Sequence, residues 1–117
     1  MKKLHILTGP PGSGKTTFAN ELNLPIYDTD LGNKKAWIHE EGDAVLCTQA
    51  PNMAAKDYWY TRAQKAGFEP HLYVMWCPRM LAYERMSKRA KFNDLQKQVE
   101  QWYKNYSRHP KEQRVNT

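Results

Sequence analysis

One stretch, GPPGSGKTT from Gly9 to Thr17, restricts what this chain can fold into more than any other. It follows the apolar run Leu4-His5-Ile6-Leu7 and matches G-x-x-x-x-G-K-[ST] through Gly9, Gly14, Lys15 and Thr16. The glycines allow a backbone path whose N–H groups converge on phosphate oxygens, while the helix that follows directs its positive end at the same place. Lys15 is then placed to bridge the β- and γ-phosphates, and the Thr16 hydroxyl to bind Mg²⁺. Pro10, Pro11, Gly12, Ser13 and Thr17 complete the loop around the bound phosphates. Both flanks that such a loop needs are present, since Lys3 to Thr8 reads as a buried strand and Lys15 to Leu22 as a helix. The alternative, a glycine-rich turn without a ligand, explains neither the lysine nor the flanks.

The rest of the chain continues the alternation. Pro25-Ile26-Tyr27 suggests a second strand ending in the acidic pair of YDTD, Asp28 and Asp30. Leu31 to Gly42 is punctuated by turn signals around a short helix carrying Trp37. Ala44 to Pro51 is a third strand, and Asn52 caps a helix from Met53 to Ala66 that Gly67 ends. His71 to Trp76 is a fourth strand, closed by Cys77-Pro78. Two helical segments follow, Arg79 to about Lys91 and Asn93 to about Ser107, the second with an apolar stripe of Leu95, Val99, Trp102, Tyr103 and Tyr106. The tail, residues 108–117, has no apolar periodicity and reads as partly disordered. Strands separated by helices imply parallel pairing, so the expected fold is a single α/β domain of three layers, α/β/α, with a mainly parallel four-stranded sheet. Ligands of such sheets bind at the carboxyl ends of the strands, where the loop and the acidic pair both fall.

At 117 residues the chain suits one domain, and no apolar run approaches the roughly 20 residues of a membrane span. The expectation is a soluble, cytoplasmic protein with no membrane partner. Cys47 and Cys77 sit in apolar runs without a second Cys or His at metal-ligand spacing, and read as reduced core thiols. Charge is segregated: residues 1–78 hold eight basic and eight acidic side chains, so the whole net charge of +6 belongs to residues 79–117. Such a field is either a solvated helical surface or an attraction for nucleotide phosphates or nucleic acid.

What is done with the phosphate turns on the carboxylates. The third strand ends in Thr48-Gln49, where many ATPases with this loop place an Asp, and no guanine-reading N-K-x-D is present. Asp28 and Asp30 are the acids at a strand end, able either to accept the proton of an incoming hydroxyl or to cap a turn. Arg85 and Arg89, four residues apart, project from one helical face, which is either a basic solvated surface or a grip on phosphate.

LTGPPGSGKTTFAN, then YDTD, AGF before the fourth strand and CPRMLAYERMSKRA together resemble the small P-loop kinases related to polynucleotide kinase, found in cellular and bacteriophage genomes. The resemblance covers residues 3–91 and implies the P-loop NTPase fold. It also implies a strand-end Asp as general base, Asp30 before Asp28, and a lid helix whose Arg79, Arg85 and Arg89 reach the phosphates. Two departures stand out: no fifth strand is legible after residue 107, and the segment from Asp30 to Asp43 leaves little room for an acceptor subdomain. An open acceptor suits that brevity, with Lys34, Lys35 and the basic third on a nucleic-acid backbone; Trp37 or Tyr27 then stacks on a base, or, as is more common for aromatics, packs in the core. The expected activity is ATP- and Mg²⁺-dependent transfer to a hydroxyl of a nucleic acid or nucleotide. A nucleotide-binding regulatory module and a plain ATPase are the alternatives.

Overall fold

The computed structural model describes residues 1–29, 36–86 and 92–116. Five strands form one sheet: β1 (Lys3–Thr8), β2 (Ile26–Asp28), β3 (Ala44–Thr48), β4 (Glu69–Trp76) and β5 (Gln113–Asn116). They are ordered β2-β3-β1-β4-β5, and every pairing is parallel. The helices are α1 (Lys15–Glu21), α2 (Met53–Lys65), α3 (Arg79–Met86) and α4 (Phe92–Asn105), with a 3₁₀ turn at Ala36–His39.

Strand alternation divides the core in two. Leu4, Ile6, Leu46 and Leu72 face one way and pack with Trp37, Ala63 and Phe68; Leu7, Val45 and Cys47 face the other and meet Ala19, Phe18 and Tyr73. A third cluster, Cys77, Ala82, Met86 and Val99, joins α3 to α4. All five residues of β3 are buried, as a strand covered on both faces must be. The caps of α2 are those expected: the Asn52 side chain accepts from Ala55 N–H at 2.8 Å, and Gly67 follows the helix at φ +86°.

The four-stranded expectation is corrected by β5, which forms in the tail read as disordered. Its strand, QRVN, is exposed except for a half-buried Val115, so no hydrophobic alternation marks it. Two other things hold it. Backbone pairing runs from Tyr73↔Gln113 to Trp76↔Asn116, and a buried ion pair joins Lys56 on α2 to Glu112, one residue before the strand, at 2.9 Å. Of the two uses open to Trp37 the structure selects the core: it is fully buried, edge-on to Phe68 with centroids 5.5 Å apart. Tyr27 packs beside it and donates its hydroxyl hydrogen to the Glu40 carboxylate.

Candidate functional site

The loop leaves β1 where the middle of the sheet ends, and its shape is set by glycines no other residue replaces. Gly9 lies at φ +154°, and a Cβ there meets Ser13 Oγ at 2.7 Å and the Met75 carbonyl at 3.0 Å. Gly12 at φ +81° lies under α3, where a Cβ meets the Ala82 carbonyl at 3.0 Å and Met86 Cε at 3.1 Å. Gly14, at φ +92°, turns the chain into α1. The Ser13 N–H donates to the Pro10 carbonyl at 3.2 Å, closing the turn. Lys15 Nζ donates to the Gly9 carbonyl at 2.6 Å, which draws the ammonium across the loop's own mouth.

Two cavities meet at this loop. The larger, about 490 Å³, lies between α1 and the ends of β4 and β5, with Phe18, Met75 and Val115 as apolar walls. Gly12, Gly14, Thr17, Glu21, Arg85 and Asn116 supply its polar edge. The smaller, about 190 Å³, is lined by the loop from Pro11 to Thr17 together with Asp28, Gln49 and Gln98. Gly12, Gly14 and Thr17 border both.

Asp28 is brought to the site by parallel register, β2 placing it opposite Cys47 on β3. Burial and then the Asp28 charge push the Cys47 thiol up to about 11, with Lys15 pulling the other way; the three groups share one neighbourhood. The Thr29 hydroxyl donates to Thr48 Oγ1 at 3.2 Å and ties the chain leaving β2 to the end of β3. Asp30, Lys34, Lys35 and Arg89 lie outside the described residues.

Of the lid arginines, Arg85 reaches the loop and donates from Nη1 to the Gly12 carbonyl at 2.9 Å. Arg79 instead lies over the Tyr103 ring, 5.5 Å from its centroid, and lines neither cavity. Tyr103 in turn donates its hydroxyl hydrogen to the Cys77 carbonyl, and burial pushes that hydroxyl's pKa up.

Seven lining residues were not read from the sequence as site residues: Phe18, Glu21 and Met75 together with Gln49, Gln98, Val115 and Asn116. Gln49 stands where the missing acid is noted, and its position is tightly held: its carbonyl accepts from Gly9 N–H at 3.3 Å and from Trp102 Nε1 at 2.5 Å. Its side-chain Nε2 donates to Gln98 Oε1 at 2.9 Å, so an amide pair from β3 and α4 borders the smaller cavity. Val115 and Asn116 border the larger one from β5. Gln98 sits on the polar face of a helix, and Val115 and Asn116 in a strand without a pattern, so only the third dimension marks these three.

Among the described residues no group of three or more His, Cys, Asp or Glu is gathered to hold a metal by itself. Magnesium fits a different arrangement, one or two protein oxygens with the substrate's phosphates supplying others. The Thr16 hydroxyl and the Asp28 carboxylate, both on the smaller cavity, are such a pair. No described helix is long and apolar enough to cross a membrane.

A parallel sheet of this order, with a glycine-rich loop between its central strand and the next helix, defines the P-loop NTPase fold. Comparison with solved structures agrees. The protein APE1195 superposes with a TM-score of 0.69 at 21% identity, over 99% of this chain and 84% of that one. A gluconokinase from Sinorhizobium meliloti 1021 gives 0.64 at 15% identity over 97% and 82% of the two chains. A sugar kinase from Janibacter sp. HTCC2649 gives 0.65 at 16% identity over 100% and 85%. These likenesses are of fold. No family model and no curated protein matches the sequence.

Proposed function

We propose that this chain is an ATP- and Mg²⁺-dependent phosphotransferase that moves the γ-phosphoryl group to a hydroxyl of a nucleic acid or nucleotide. The observation that carries the reading is the pair of cavities sharing Gly12, Gly14 and Thr17, one apolar-walled and one holding Lys15, Thr16 and a carboxylate. A nucleoside occupies the larger, its phosphates cross the shared glycines, and the acceptor enters beside Asp28. Mg²⁺, held by Thr16 with help from Asp28, supplies charge neutralisation at the phosphates.

Asp30, with Asp28 as second choice, takes the proton of the acceptor hydroxyl as that oxygen bonds to the γ-phosphorus and the bond to the β-bridging oxygen breaks. Lys15 follows the charge developing on the bridging and γ-oxygens, and Arg85 approaches from the Gly12 side. Arg89 completes the lid by resemblance. The site suits a soluble cytoplasmic enzyme.

A nucleic-acid acceptor is supported by the exposed basic series Lys97, Lys104, Arg108, Lys111 and Arg114, within the segment that carries the whole +6. The smaller cavity supports a second acceptor class. Its neutral Gln49–Gln98 pair offers donors and acceptors to hydroxyl groups, and the gluconokinase and sugar kinase above are named for small hydroxylated compounds.

Incubation with γ-labelled ATP and a panel of 5′-hydroxyl oligonucleotides, nucleosides, gluconate and sugars tests the reading. Label enters an acceptor with the native chain, Lys15→Ala abolishes transfer, and Asp30→Asn abolishes it while ATP still binds. Tight ATP binding with label in no acceptor refutes transfer; full transfer by both Asp30→Asn and Asp28→Asn refutes the base.

A further inference from the structure

We propose that Lys56 and Glu112, neither of which borders the two cavities at the loop, are positioning residues that decide how tightly the nucleoside is held, through the strand they anchor. This rests on the reading above that the nucleoside occupies the larger cavity.

The wall formed by β5 has little apolar burial of its own; besides its backbone pairing, Arg114 lies over the Trp76 ring of β4, 4.4 Å from its centroid. The strand is four residues long, is paired on one side to β4, and half-buries a single apolar residue, Val115. What precedes it is fastened to α2. The Glu112 side chain is 3% exposed and accepts from Lys56 Nζ at 2.9 Å, from the Tyr106 hydroxyl at 2.6 Å and from the His109 N–H at 2.7 Å. Lys56 Nζ, fully buried, also donates to the Ser107 carbonyl at 2.8 Å and sits 4.2 Å above the Tyr106 ring.

His109 adds a second tie. Its Nδ1 accepts from Lys111 N–H at 3.0 Å, which leaves the neutral ring's hydrogen on Nε2 to face Asp57 at 3.0 Å. The Ser107 hydroxyl oxygen accepts the Met53 N–H at the start of α2 at 2.7 Å. A strand rises about 3.3 Å per residue, so the three and four residues from Glu112 to Val115 and Asn116 form an arm of roughly 10 to 13 Å. The direction of that arm sets the cavity wall.

Breaking a buried ion pair by removing one partner is far more damaging than replacing both, because the survivor is a buried charge without its match. Here the damage has an escape, since the tail can leave and hydrate both groups while the sheet stays. The phosphate loop is held by other elements, the Gly9 N–H by Gln49 and Gln49 by Trp102. Loss of the pair therefore acts on the nucleoside and spares the phosphates.

The test is equilibrium binding of MgATP and of magnesium tripolyphosphate, a ligand with phosphates and no nucleoside, by the full chain. The native chain binds ATP at least tenfold more tightly than tripolyphosphate. Glu112→Gln and Lys56→Met each lower ATP affinity about tenfold and change tripolyphosphate less than twofold, while residues 113–116 lose hydrogen-exchange protection and β1 and β3 keep theirs. The double variant Lys56→Met with Glu112→Leu, which removes both charges, recovers part of the ATP affinity. Tyr106→Phe deletes one hydrogen bond to the carboxylate and keeps the ring; it gives the same selective loss at smaller amplitude and decides the matter should the charge variants not fold. Equal weakening of both ligands, or unchanged ATP binding by Tyr106→Phe and the folded charge variants, overturns the proposal. So does a native chain that binds the two ligands alike, which refutes the nucleoside's placement, whereas absence of labelled product refutes only transfer.

Discussion

Replacing Gly12 by alanine tests how closely the lid is seated on the phosphate loop, and Gly67→Ala supplies its internal control. The two glycines have nearly the same backbone, φ +81° and +86°, a region that costs an L-residue roughly 1–2 kcal/mol. At Gly67 a Cβ has nothing within 4 Å, so that conformational term is the whole effect. At Gly12 the Cβ arrives 3.0 Å from the Ala82 carbonyl and 3.1 and 3.4 Å from Met86 Cε and Cγ. Met86 Cε is the end of a flexible chain and can swing aside, but the carbonyl is helix backbone, so α3 must shift by a few tenths of an ångström. Overpacking of this kind adds about 1–3 kcal/mol, giving about 2–5 kcal/mol for Gly12→Ala. Urea denaturation of both variants measures the difference, which is expected to be about 1–3 kcal/mol. The same shift disturbs the Arg85 to Gly12 hydrogen bond, so transfer by Gly12→Ala falls further than ATP binding does. A Gly12→Ala chain no less stable than Gly67→Ala refutes the contact between lid and loop.

Trp37→Ala is expected to destabilise the chain by about 3–5 kcal/mol in denaturant, the range for a large buried aromatic; a change below 1 kcal/mol contradicts its place in the core. Cys47, 4% exposed and with its thiol pushed up to about 11, stays unalkylated by iodoacetamide at pH 7.5 under native conditions, as followed by mass spectrometry. Asp28→Asn removes a charge that raises this thiol, so alkylation at pH 9 speeds up; no change in rate places Asp28 away from Cys47.

The sequence by itself determined the phosphate loop, its flanking elements and the parallel α/β fold. Those features are local: a glycine path, an apolar run and helical spacing each follow from neighbours a few residues apart. The strand β1 falls at Lys3–Thr8 as read, and the apolar stripe of α4 does pack, with Val99 and Trp102 buried. Asp28 was legible because a carboxylate at a strand end needs only the strand to place it.

Tertiary structure decided the rest, where the cause lies far away along the chain. Lys56 reads as one more charge on an amphipathic helix until Glu112, fifty-six residues later, meets it in the interior. QRVN itself carries no pattern that marks a strand; its pairing with β4 and this distant anchor make it one, which is why the tail looked disordered and the fifth strand absent. Arg79 and Arg85 are alike in sequence, yet the turn of α3 sends one to an aromatic ring and the other to the loop. Trp37 looked available to a base because an aromatic carries both uses, and only the fit of Phe68 against it selects the core. Pairings of this kind depend on which surfaces the fold brings into contact, and no periodicity within a segment encodes them.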